Sequence, residues 1–120
     1  MAKIPLETTL SVQVAAGAPS ITIAAPGASC SFVIDAIRSR LLNTGAGAYS
    51  LFLQVSDSSG VRQQWVISTY APAGQPATDD VDLEGLGLVL QAGSGFTVNW
   101  NAPVPAAGVG DLSVTFHLTG

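Results

Sequence analysis

Residues 83–100 read LEGLGLVLQAGSGFTVNW, and their alternation decides the fold class. Leu86, Leu88 and Leu90 alternate with Gly87, Val89 and Gln91; Phe96, Val98 and Trp100 alternate with Thr97 and Asn99. Successive side chains of a strand point to opposite faces, so a period of two gathers each apolar set on one face. Between the two sets stands Ala-Gly-Ser-Gly, residues 92–95, a composition suited to a tight reversal. The stretch predicts a β-hairpin with one apolar face. That face needs a second apolar layer against it, which the rest of the chain must supply.

The same alternation recurs on both sides of this stretch. Residues 8–14 place Leu10, Val12 and Val14 on one face, and residues 20–24 turn Ile21 and Ile23 inward. The longest strand, 30–42, begins with Cys30, Phe32, Ile34 and Ala36 in phase, but Ile37 and Leu41 fall out of that phase. A flip in mid-strand predicts a β-bulge or a strand that passes between sheets. An amphipathic helix over 35–42 is the second choice, disfavoured by the β-rich surroundings. Residues 49–56 carry Tyr49, Leu51, Leu53 and Val55 in phase; residues 61–70 carry Val61, Gln63, Trp65, Ile67 and Thr69. The intervening Asp-Ser-Ser-Gly, 57–60, has the pattern of a type I turn and predicts a second hairpin. The final strand, 112–118, turns Leu112, Val114, Phe116 and Leu118 inward and leaves His117 outward.

Residues 71–81, APAGQPATDDV, hold two prolines and a glycine and predict the longest irregular segment. Residues 101–110 form a second long loop that crosses an edge or the top of the fold. Seven or eight short strands, separated by Gly/Pro/Ser turns, predict an all-β fold: an antiparallel β-sandwich of jelly-roll type. No Cys–Trp–Cys arrangement supports an immunoglobulin domain. The organisation is an N-terminal arm over residues 1–7, with Ile4 and Leu6 flanking Pro5, and one β-sandwich domain over 8–120.

At 120 residues, one domain buries a core without metal or disulfide staples. Only 10% of residues are charged, against roughly a quarter in an average soluble protein. The surface is therefore covered by Ser, Thr, Gln, Asn, Ala and Gly. Such a surface suits either self-association, since interface cores are depleted of charge, or an uncharged polar monomer. Four basic residues (Lys3, Arg38, Arg40, Arg62) against eight acidic ones give a net charge of −4, which argues against nucleic acid as a partner. No apolar run reaches the ~18 residues of a membrane span. The MAKIPLETT start lacks the apolar core of a secretory signal, so synthesis in a cytoplasm is expected. Cys30 is the single cysteine, excluding an intramolecular disulfide, and its phase with Phe32 and Ile34 reads as a small buried hydrophobe.

Few residues carry the pattern of a chemical site. Asp79, Asp80, Asp82 and Glu84 are the best candidates for a cation site, calcium above all, although their spacing is not that of an EF-hand loop. The plainer reading is a solvated edge strand whose charges discourage aggregation. Asp35 and Asp57 stand alone in sequence. His117, the single imidazole, reads as an exposed strand residue, because a zinc site needs three or four ligands. No nucleophile elbow, phosphate loop or paired-carboxylate arrangement occurs, so no catalytic residue and no cofactor is expected. Trp65, Trp100, Tyr49 and Tyr70 suggest a sugar-stacking platform, but Trp65 and Trp100 share phase with aliphatic residues and read first as core or interface anchors. Tyr70 is the most plausible exposed aromatic. Arg38 and Arg40 share a strand face and suggest pairing with the 79–84 carboxylates of a neighbouring subunit.

The segments GLGLVLQAGSGFTVNW, APAGQPATDDVDLEG and DLSVTFHLTG together resemble small structural proteins of tailed bacteriophages, of the jelly-roll capsid decoration, or cement, type. The resemblance spans residues 30–118. It rests on the L-x-L-x-L run, the Ala-Gly turn, the alternating aromatic strand and the low charge. It implies a non-enzymatic virion protein, synthesised in the host cytoplasm, that self-associates, as a trimer by preference, and binds the major capsid protein or another virion protein. Interface candidates are Ile4, Leu6, Arg38, Arg40, Tyr70, Asp80, Asp82 and Glu84. The alternative is a carbohydrate-binding module or a receptor-binding tail or fibre domain.

Overall fold

The computed structural model describes residues 7–14, 17–27, 29–43, 47–71, 77–104 and 108–119. Among these residues it is all-β. The strands are β1 (Thr8–Val14), β2 (Ser20–Ile23), β3 (Ser31–Asn43), β4 (Gly47–Asp57), β5 (Gly60–Ala71), β6 (Ala77–Leu83), β7 (Leu88–Val89), β8 (Phe96–Trp100) and β9 (Val109–Thr119). The first sheet has the order β1-β9-β3-β6, with β7 also on β3; the second has the order β2-β8-β4-β5. All pairings are antiparallel.

The pairs are nested: β1 with β9, β2 with β8, β3 with β6, β4 with β5. This is a long two-stranded ribbon rolled into a sandwich, the jelly roll expected from the sequence. The two-residue β7 continues β6 along β3, since β6 covers positions 37–43 of β3 and β7 covers Val33 and Ile34. Gly85 and Gly87, at φ of 63° and 57°, kink the chain between them, and the Leu86 N–H donates to the Asp35 carbonyl at 2.9 Å. Conformations with φ in this range are open to glycine at little cost.

The expected 83–100 hairpin is therefore corrected. Its two arms lie in different sheets, and residues 90–95 carry the chain across the sandwich. Leu88 packs against the core from the first sheet, while Phe96, Val98 and Trp100 are buried from the second. A one-sided hairpin and two strands facing across a core produce the same alternation. The expected irregular segment at 71–81 is corrected in part: residues 77–83 form β6, and residues 72–76 lie outside the described set.

The bulge expected in β3 falls at Asp35, where the β3–β9 register slips between Ile34 and Ala36. It lets Ile34 and Ile37 both reach the core with no exposure. The 4–5 hairpin forms as expected, but its own register slip brings Val61 opposite Ser56. Val61 is thereby 56% exposed, not in phase with Ile67 as the sequence suggested.

The core is continuous. Phe32, Phe96 and Phe116, from β3, β8 and β9, meet edge-to-face with centroids 5.2–5.6 Å apart, the arrangement that aromatic quadrupoles favour. Trp100 is 1% exposed and its Nε1–H donates to Ser39 Oγ at 2.9 Å, so the indole's polar end is satisfied inside the sandwich. Its ring lies flush on Gly110, where a Cβ would sit 2.7 Å from two ring carbons. Asp79 accepts the Ser68 N–H at 2.9 Å, a bond between β6 and β5 that links edge strands of the two sheets. Among the described residues no helix is long and apolar enough to cross a membrane.

Candidate functional site

The outer face of the first sheet gathers most of the chain's polar chemistry, in rows set by strand register. One row runs Gln13, Asp111, Arg40, Asp80, and the next runs Ser11, Ser113, Arg38, Asp82. Gln13 Nε2 donates to Asp111 Oδ1 at 2.7 Å. Arg40 Nε lies 3.5 Å from Asp80 Oδ1, and Arg38 Nε lies 3.6 Å from Asp82 Oδ2. The arginine and carboxylate groups thus meet within one chain, across β3 and β6. All four side chains remain well exposed, so each pair contributes only about 0–1 kcal/mol. They line an open groove of about 720 Å³ that also takes in Ser11 and Gln13.

The acidic run is engaged in other contacts. Asp80 and Asp82 face outward on an edge strand, paired with arginine, while Asp79 has the opposite phase and is used by Ser68. Glu84 is exposed in the kink after β6. Among the described residues, no three of these carboxylates come together as one donor set. The edge-strand reading of this segment matches the geometry.

At the other end of the same face, Thr9 Oγ1 lies 2.8 Å from Thr115 Oγ1. One step further, Glu7, Asp35 and His117 come together, with donor atoms within 4.8 Å of one another. His117 Nδ1 lies 2.6 Å from Asp35 Oδ2, and the two side chains are 21% and 24% exposed. The reading of Asp35 as a singleton and of His117 as merely exposed is thereby corrected. The β3 bulge sets this up: the inserted residue keeps Asp35 on the outer side, where it meets the imidazole on β9. Glu7 has its carboxyl raised above 4.5 by a hydrogen bond to Asp35 and by the Asp35 charge, with a smaller push from desolvation and an opposing pull from His117. A hydrogen bond between two carboxyl groups needs a proton between them, which favours the protonated form.

Sequence reasoning missed this cluster because it assigned Glu7 to the arm. Extending the outward phase of Thr9, Ser11 and Gln13 back by two positions would have placed Glu7 on this face.

The other lone carboxylate, Asp57, is a structural anchor. Its Oδ1 accepts the Ser59 N–H and hydroxyl at 2.8 and 2.6 Å; its Oδ2 accepts Arg62 Nη1–H at 2.8 Å and the Gln91 N–H at 3.0 Å. Desolvation raises its pKa, but the Ser59 hydroxyl, the Gln91 and Ser59 N–H groups and the Arg62 charge outweigh it and hold it at about 2.

Of the proposed sugar platform, Trp100 lies in the core and Trp65 and Tyr49 pack against it, so none of the three lines the groove. The Tyr49 hydroxyl donates to the Pro103 carbonyl. Tyr70 pairs with Ala48 one residue before the end of β5, and its side chain lies outside the described residues, as do Ile4 and Leu6. Cys30 is half-buried rather than fully enclosed. Comparison with protein-family models and with curated proteins returns no match.

Proposed function

We propose that this chain is a non-enzymatic structural protein of a virion, which self-associates and decorates a capsid. The observation that carries the reading is the contrast between the two outer faces. The first sheet turns its charged rows to solvent. The second sheet, across β2, β8, β4 and β5, holds no charged residue except Asp57 and Arg62, which pair with each other beside the hairpin turn. On that sheet Phe52 and Val66 form an exposed cross-strand pair at 38% and 58%, on the hairpin that includes edge strand β5. Depletion of charge with an exposed aromatic is the composition of an interface core. The jelly-roll topology is compatible with this use. A trimer docked at several points would gain from multivalency.

The test is the solution mass by light scattering over a wide dilution series, on the wild type and on Phe52→Ser with Val66→Thr. A trimer that survives dilution and falls apart in the double variant is expected. A monomer at every concentration overturns the assembly reading. One observation favours carbohydrate binding as a second function: the open groove on the first sheet is lined by Ser, Gln, Arg and Asp, side chains suited to hydroxyl groups. A glycan that raises the melting temperature of a monomer would move the assignment there.

A further inference from the structure

We propose that Glu7, Asp35 and His117 bind one divalent cation of the zinc class. Three strands deliver the three donors: Glu7 immediately precedes β1, Asp35 is the bulged residue of β3, and His117 lies on β9. Asp35 and His117 are 82 positions apart, so only the folded sheet assembles the set. One imidazole nitrogen with two carboxylate oxygens is a mixed set that zinc accepts, with three protein ligands leaving a position for water. Calcium takes six to eight oxygens, and the set holds too few.

The distances suit a small ion. Donors bound to zinc at about 2.0–2.1 Å stand roughly 3.3 Å from one another in tetrahedral geometry. Asp35 and His117, now at 2.6 Å, need to part by less than about 1 Å. Glu7 is exposed just before β1 and is brought to the ion by side-chain rotation. A metal takes the lone pair of an unprotonated ring nitrogen, so in the bound form Nδ1 faces the ion and the ring proton sits on Nε2. The backbone of the bulge is already held, because the Asp35 carbonyl accepts the Leu86 N–H. Two of the three ligands are therefore placed before any ion arrives.

The experiment is a titration of the full chain with zinc chloride, in a Cys30→Ser background so that the single thiol takes no part. His117 is the single histidine, so its ring signals in a nitrogen–proton NMR spectrum report on the site directly. One equivalent of zinc is expected to shift those signals to saturation and to raise the melting temperature. Affinity should fall by at least about tenfold in Asp35→Asn and in Glu7→Gln, and further in His117→Gln. Ring signals unmoved by excess zinc overturn the proposal, as does zinc affinity that is unchanged in His117→Gln. Should Asp35→Asn fail to fold, Glu7→Gln at its exposed position carries the same test. Calcium chloride at the same excess is expected to leave the ring signals in place.

Discussion

Replacing Asp57 by Asn removes one negative charge from beneath the β4–β5 turn and leaves the shape nearly unchanged. Four donors converge on this carboxylate, from Ser59, Arg62 and Gln91. They hold its pKa at about 2, against 3.8 for the free group. A group whose acidity is strengthened by folding stabilises the native state above its unfolded pKa, and that contribution is lost as the pH falls through the folded value. A drop of this size corresponds to about 2.4 kcal/mol, present above pH ~4 and lost toward pH ~2. The side chain itself exposes no surface, although Arg62 is 34% exposed, so screening takes only part of the charge term. Urea unfolding followed by tryptophan fluorescence, at several pH values between 6 and 2, gives the stability gap between wild type and Asp57→Asn. The gap is expected to be about 2 kcal/mol at the upper end and to close toward the lower end. Glu7, with its raised pKa, contributes the opposite slope in both proteins and drops out of the difference. A gap that stays constant with pH would refute the assignment of Asp57 as an ionised anchor.

Ser39→Ala leaves the buried Trp100 N–H without an acceptor. The expected loss is about 1–3 kcal/mol by urea unfolding, and a double cycle with Trp100→Phe should show coupling between the two sites. Gly95→Ala would place a Cβ 2.3 Å from the Ile23 carbonyl oxygen, which is backbone on both sides. A loss of about 1–3 kcal/mol is expected. Gly27→Ala, whose Cβ would meet only Cys30 Sγ at 3.9 Å, serves as the control with little change.

Periodicity in the sequence reports which face a side chain takes, and for most strands it served, although Leu118 and Val61, both expected inward, are exposed. Phe96, Val98, Trp100, Leu112 and Val114 are buried where the alternation put them. Periodicity does not report which strand lies alongside. Residues 83–90 and 96–100 looked like partners because both present an apolar face to the same core, yet they approach it from opposite sheets. The strand β6 was hidden for another reason. An edge strand is held by the backbone of its neighbour, here β3, and needs few apolar residues of its own; Ala77, Val81 and Leu83 are all it offers. The slip at Asp35 was legible as a phase flip. Its consequence, a carboxylate beside an imidazole 82 positions away, depends on a register that no local pattern encodes.

The nesting of the strands also orders events in time. β9 runs through the middle of the first sheet, between β1 and β3, and Thr119 bonds back to the Ser31 carbonyl 88 positions earlier. At ~5–20 residues per second on a ribosome, β3 waits roughly 4–18 s for its main neighbour to be made. The β4–β5 hairpin, joined by a short turn, closes within microseconds of emerging. The second sheet is thus seeded early; in the first, β6 can cover one side of β3 once residue 83 is made, while the other side stays open until β9 follows. Pulse-labelled hydrogen exchange should find the amides of β4 and β5 protected before those of β9. Until then β3 is the segment most exposed to pairing with the wrong chain, which makes crowded synthesis, rather than the finished fold, the stage at which this protein is most vulnerable.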